Sequence, residues 1–408
     1  MQRIPVTHAG SLIRPPELLS FLSAISSGQP GAEAGYAAAL RGAVAGAVRR
    51  QVESGIDVID DGEMGKSNWI SYLYERTTGL EARPLTGDFT TILPASRDRQ
   101  HFPGAYAEID ALDAAAARKA AGDAGSGAGG PADWVCTGPM TYDRGAIDRD
   151  IANFKASLRD AGVDLAAGEG GTEAFLPVVA PASAYWLRNE HYPTDEDFVY
   201  ALADVLHEEY KAIVESGLLL QVDDAVLMHE ADTMLSRGQS WADYRTWAEL
   251  RVDALNHALR GLPEDRVRYH VCFGSWHGPH AYDPPLRDSV DLVLRVNARY
   301  YLMEQANPRH EHEWRIWEDV KLPDGKVLVP GVVTHHTNVV EHPELVAQRL
   351  VRLANVVGRE NVMGGTDCGF AQGAFVHRVH EEIQWAKLSS LSEGADIASR
   401  ELWGAKSE

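Results

Sequence analysis

Three short segments of this 408-residue chain carry side chains able to hold a metal ion: His270-Val271-Cys272, Glu304 within YLMEQ, and Cys368 within GGTDCGF. One imidazole, two thiols and one carboxylate form a ligand set suited to zinc. Magnesium and calcium prefer oxygen, so two thiolates favour zinc over either. His270 and Cys272 stand two apart, and on an extended strand both point to one face. Alone, an H-x-C spacing is common in buried strands; joined to the other two segments it becomes far more specific. The chemistry on offer is thiol activation, because a thiol with an ordinary pKa of about 8.5 gives up its proton on coordination.

The elements that must position these residues follow from the hydrophobic pattern. Strand-like runs fall at Val6–Ser11, Asp57–Glu63, Phe175–Pro181, Leu218–Asp224, Tyr269–Gly274, Tyr300–Gln305, Lys326–Val333 and Asn361–Cys368. FLPVVA, GLLLQV and KVLVPGVV are nearly continuously apolar, as parallel strands covered on both faces must be. Helical spacing fills the gaps, as in Asp195–Ser216, with Thr194 as N-cap and acidic residues in its first turn, and in His342–Val357. Eight strands alternating with helices predict an α/β fold, a (β/α)8 TIM barrel spanning 1–408, whose reactive groups gather where strands end. Between the second and third strands lie about ninety residues, 81–171, too many for an ordinary βα loop. This stretch is predicted to be an inserted arm or lid, with an extra strand at Trp134–Met140, a glycine-rich run at 122–134 and an exposed helix at Ala111–Ala121.

Composition narrows the partners. The formal net charge of −21 repels nucleic acid and anionic membranes. Three cysteines are too few for a disulfide framework and suit a reducing compartment. No apolar run reaches the length of a membrane span, and MQRIPVTHAGSLIRPPELL lacks a signal-peptide pattern. A cytoplasmic protein acting on small molecules is expected, and a homo-oligomer is compatible with all of this.

The segments HAGSLIRP, ESGIDVIDDGEMG, LLLQVDDAVL, HVCFGSWHGPH, LMEQANPRHEHEW and GGTDCGFAQ resemble the cobalamin-independent methionine synthase superfamily. The likeness is closest to its short, single-barrel members, which include epoxyalkane:coenzyme M transferase. It implies a Zn2+ site, whose ligand pattern falls on His270, Cys272, Glu304 and Cys368. It also implies that Ser11, Glu63 and Asp223 hold the polar end of a thiol substrate, and that His336 is the proton donor, with His335 able to exchange roles with it. Arg14 and Arg309 are candidate clamps for an anionic tail, and His277 and His280 for the pocket wall. The duplicated N-terminal barrel of the long members has no counterpart in this sequence. Trp186 lies one position from their folate-stacking tryptophan, and Asp224 replaces a glutamate.

These readings predict a zinc-dependent thiol S-alkyltransferase, in which the bound thiolate attacks an electrophilic carbon and His336, with Asp223 and Glu63 beside it, manages protons. The partners are a small-molecule thiol and an alkyl donor, either a methyl carrier or an epoxide. The alternative is a zinc-dependent lyase or hydrolase that activates water. A non-catalytic thiol or metal carrier would have no use for so many proton donors. Cys136 is predicted to be a small buried hydrophobe, and Arg309–Trp314 a solvated or salt-bridged loop.

Overall fold

The computed structural model of the protein describes residues 3–26, 29–84, 95–121, 132–165 and 173–404. At its centre is a seven-stranded parallel sheet: β1 (Val58–Ile59), β2 (Glu173–Val179), β3 (Leu219–Asp224), β4 (Val267–Val271), β5 (Tyr300–Glu304), β6 (Val327–Val333) and β7 (Gly365–Thr366), neighbours in that order. Every residue of β4, β5 and β6 is buried, as is all of β2 after Glu173. That two-sided burial is why these strands read as unbroken apolar runs.

The sheet is curled, and the N-terminal segment touches both of its edges. Val6 bridges Gly364 and Thr7 bridges Val58, both in parallel sense. The strand expected over Val6–Ser11 is thus only a short bridge. Inside the curl, the buried Arg268 guanidinium donates to Thr7 Oγ1 and the His8 carbonyl, both at 3.0 Å, and lies 3.7 Å from the centre of the Phe175 ring. A cation there needs this many partners because burial strips it of water.

Helices cover the outside. Asp195–Glu215 begins with the Asp197 N–H donating to Thr194 Oγ1 at 3.0 Å, the cap expected from the sequence. Pro343–Val357 turns Val346, Leu350 and Leu353 inward at helical spacing and packs beside Glu381–Trp403.

Between β1 and β2 the chain runs through a helix at Ser71–Glu75, a strand at Thr77–Pro84, helices Arg97–His101 and Pro103–Ala121, a strand at Ala132–Tyr142 and a helix at Gly145–Asp160. The two strands pair antiparallel, and Arg188–Asn189 adds a short parallel third. The extra strand expected at Trp134–Met140 therefore exists and is longer. Ala111–Ala121 falls in the second helix. Of the glycine-rich run, residues 122–131 lie outside the described residues. Cys136 is fully buried, as its small apolar character requires. Arg76 ties this region to the helix Asp195–Glu215, donating to Glu209 Oε1 at 2.9 Å and to Asp150 Oδ2 at 2.5 Å. Farther along, Asp98 accepts from the Ala281 N–H at 3.0 Å and Arg97 donates to the Tyr282 carbonyl at 3.1 Å. Residues 96–106 thereby rest on the loop that follows β4.

Candidate metal centre and active site

His270, Cys272 and Cys368 come together at the C-terminal ends of β4 and β7. Their ligand atoms all lie within 4.8 Å of one another. Cys368 reaches this point because Asp367, next to it, presses against β6 at Gly331. A Cβ on Gly331 would sit 2.3 Å from Asp367 Oδ1 and 2.5 Å from its Cα, so only glycine admits that approach.

The imidazole is aimed by its other nitrogen. Register pairs Asp223 of β3 with His270 of β4, and His270 Nδ1–H donates to Asp223 Oδ1 at 2.8 Å. This carboxylate–histidine pairing fixes the tautomer that leaves Nε2 for a metal. Burial opposes charge on His270, but the bond to Asp223 outweighs it and holds the imidazole's pKa at about 9. The two thiols share a proton. Cys368 donates toward Cys272, and this bond together with the nearby His270 charge brings Cys272 down to about 7, while Cys368 is held well above the usual thiol range. Two sulfurs beside an oriented imidazole form a donor set that fits zinc.

Glu304 is close by but not part of this trio. Its Oε1 accepts from the Phe273 N–H at 2.9 Å and its Oε2 from Asn307 Nδ2. Burial and then the neighbouring Cys272 raise its carboxyl to about 7. Its two oxygens are thus engaged by the Phe273 N–H and the Asn307 amide.

The other expected residues are held by contacts of their own. Ser11 is buried against the loop after Cys368, its carbonyl accepting from the Phe370 N–H at 2.8 Å; it caps no helix. Glu63 adopts a left-handed φ of 56°, a costly conformation for a non-glycine residue. Asp61 Oδ1 supports the turn by accepting the Glu63 N–H at 2.8 Å. Burial raises the Glu63 carboxyl, and Lys66, 3.4 Å away, opposes that rise. Arg14 is committed to the same turn, donating from Nη2 to the Glu63 and Lys66 carbonyls at 2.7 and 2.8 Å. Its Nε and Nη1 have no hydrogen-bond partner among the described residues.

His336 is half-buried, its ring 4.8 Å from that of His335 and 6.3 Å from that of His277. Burial, then the positive neighbours His280 and His277, lower it to about 4, so it is neutral at pH 7. His335 points elsewhere and meets Ser275 Oγ at 2.6 Å. Trp186 ends a short 3-10 turn, Ser183–Trp186, and its side chain lies outside the described residues.

One group beside the site was not foreseen. His280 Nδ1 and His310 Nε2 both bond Asp283 Oδ2, at 2.9 and 3.1 Å, and His310 Nδ1 bonds Glu313 Oε2 at 2.9 Å. His310 also stacks on Phe273, with ring centres 3.6 Å apart. The paired spacings His280-x-x-Asp283 and His310-x-x-Glu313 were available in the sequence. The Arg309–Trp314 run is thus the salt-bridged loop expected, with Glu311 holding Arg349 at 3.0 Å.

With the fold and this geometry in hand, comparison with known proteins is informative. The family model described as the catalytic domain of cobalamin-independent synthase matches residues 185–381. The methionine synthase of Thermococcus kodakarensis is 25% identical over 231 residues, 56% of this chain and 58% of that protein. The methionine synthase of Sulfolobus acidocaldarius is 23% identical over 403 residues, 98% of this chain and 93% of that protein. Among solved structures, a B12-independent methionine synthase from Shewanella sp. W3-18-1 in complex with selenomethionine has a TM-score of 0.68 at 18% identity, covering 98% of this chain and 99% of that one. A putative vitamin-B12-independent methionine synthase from Listeria monocytogenes has a TM-score of 0.64 at 20% identity, covering 97% and 99%. The matches to the Thermococcus protein and to that of Pyrococcus abyssi span little more than half of those relatives' lengths, 58% and 57%. The chain is thus similar to cobalamin-independent methionine synthases, with the family model covering just under half of it. Among the described residues, no helix is long and apolar enough to cross a membrane.

Proposed function

We propose that this protein is a zinc-dependent thiol S-alkyltransferase acting on two small molecules, a thiol and an alkyl donor, in the cytoplasm. The observation that carries the reading is the trio of His270, Cys272 and Cys368 with ligand atoms within 4.8 Å of one another, its imidazole already oriented by Asp223. Zinc bound by these three residues, with Glu304 as an exchangeable fourth partner, would supply ionisation of the substrate thiol at neutral pH.

The chain's own side chains do the rest. Asp223 keeps His270 in the ligating tautomer. Ser11 and Glu63 line the position where a thiol's polar end would be held, and the buried N–H groups of Arg14 suit a negatively charged one. His336, neutral at pH 7, offers an N–H to the departing atom as negative charge builds there. That atom is nitrogen if the donor is a methyl carrier and oxygen if it is an epoxide. Trp186 is assigned to the donor's side. The same reading takes the curled sheet as a (β/α)8 barrel, with Val6–Thr7 as its remaining strand and 81–171 as an inserted arm.

Metal analysis tests the ligands. Purified protein should carry about one zinc per chain, and Cys272→Ser and Cys368→Ser should each lose it; retention by both variants would sink the assignment. Zinc X-ray absorption with a panel of thiols tests the chemistry, and a new zinc–sulfur contact with one of them identifies the acceptor. No change with any thiol would instead favour water activation.

A further inference from the structure

The loop after β4 is folded around a single indole. Trp276 is 9% exposed and sits between two glycines. A Cβ on Gly274 would lie 1.7 Å from Trp276 Cζ3, and one on Gly278 would lie 2.0 Å from its Nε1. Gly274 also needs the left-handed region, with φ of +99°. The His280 ring packs on the indole with centres 4.2 Å apart, and His280 Nε2 bonds the Trp276 carbonyl at 3.2 Å.

What secures the indole comes from the arm. Trp276 Nε1–H donates to Tyr106 Oη at 3.2 Å. Tyr106 is 2% exposed and forms a small apolar cluster with Trp276, against which Phe102 and Ile109 pack. Arg99 covers the other ring, its guanidinium carbon 4.4 Å from the Tyr106 centroid. The backbone N–H that leads into this loop serves the candidate metal centre: Phe273 N–H donates to Glu304 Oε1 at 2.9 Å. Moving the indole would move Gly274, and with it the flanking residues Phe273, which holds Glu304, and Cys272.

We infer that Tyr106 and Trp276 are positioning residues through which the arm sets the metal affinity of Cys272 and Glu304. The centre is complete only when residues 96–106 rest on the loop after β4. This rests on the zinc reading above. The Tyr106–Trp276 hydrogen bond, the close packing of the indole on Gly274 and the Phe273 N–H bond to Glu304 supply a route. Groups in such supporting positions commonly change metal affinity by about 10- to 100-fold.

Cobalt(II) serves as probe, read by its thiolate charge-transfer and ligand-field bands and by competition with a chromophoric chelator. Tyr106→Phe keeps the ring and removes the acceptor; it should weaken cobalt binding about 10-fold. Trp276→Phe should weaken it further, and Tyr106→Phe/Trp276→Phe should match Trp276→Phe alone, since both act on one contact. The ligand-field bands should shift in all three. Gly278→Ala, whose Cβ would crowd the indole Nε1 at 2.0 Å and Tyr106 Oη at 3.0 Å, strikes the same contact from the loop side and should reproduce the shift. Circular dichroism and thermal midpoints identify variants that merely fail to fold. Folded variants with unchanged bands and affinity would overturn the inference and leave the zinc reading standing. Wild-type protein that binds no cobalt or zinc would instead overturn the zinc reading itself.

Discussion

The candidate metal centre has two kinds of support, and they differ in how they hold their residues. His270 is set by β-sheet register: β3 pairs with β4 so that Asp223 faces it, and both strands are fixed by burial. Cys368 follows from the approach of Asp367 to Gly331. On the other side, Phe273, Gly274 and Trp276 occupy a loop whose shape depends on side chains arriving from residues 96–106. The strand-borne half is defined by pairing within one sheet, the loop-borne half by contacts between regions distant in sequence. A rigid set of ligands can thus be combined with a loop that remains free to differ among relatives.

The sharpest way to separate the two supports is to loosen the arm where it is far from the metal. Replacing Arg76 by Met leaves Asp150 and Glu209 buried without their cation. Unfolding in urea should show a loss of about 3–5 kcal/mol, with zinc content unchanged at saturating metal. Loss of zinc from a folded Arg76→Met protein would mean that the arm's root, and not only its tip, supports the centre. Asp223→Asn attacks the strand-borne half. Chelator competition should find zinc held about 10- to 100-fold more weakly with little change in global stability, and unchanged affinity would show that register alone aims His270.

The smallest effect concerns the network on the loop side. Burial alone would lower His310, but its bonds to Asp283 and Glu313 raise it from 6.5 to about 9. The folded pKa lies above the unfolded one, so the stabilisation is complete below pH 6.5 and disappears as pH rises through about 9. Wild type should therefore lose about 3 kcal/mol more than His310→Gln between about pH 6 and about pH 9.5. Parallel stability curves would mean that the imidazole is neutral in the folded protein.

The same division explains what the sequence revealed. β2, β4, β5 and β6 were legible because two-sided burial imposes continuous apolar runs. The start of Asp195–Glu215 was legible because capping is local chemistry, confined to Thr194 and Asp197. His270 and Cys272 were legible through strand periodicity. The bond from Asp223 to His270 was not, because it depends on register between strands 47 residues apart in sequence. Nor was the contact between Trp276 and Tyr106, 170 residues apart, since no periodicity marks a single long-range hydrogen bond. Glu304 was expected as a fourth ligand but stands outside the trio, because its engagement with Phe273 and Asn307 depends on local loop shape.

The bridge formed by Val6 and Thr7 has a kinetic meaning. These residues leave the ribosome early, yet their partners include Gly364, and Ala9 donates to Thr366 across 357 positions. Closing so long a loop comes before any reward from the contacts it makes, and it slows folding. Thr7 can meet Val58 once that residue is made, but Val6 must wait for Gly364 before the curl closes. The Asp223–His270 pair can form well before that, whereas Cys368 arrives only with the closing segment. In a newly made chain, assembly of the His270–Cys272–Cys368 trio and closure of the sheet become parts of one late event.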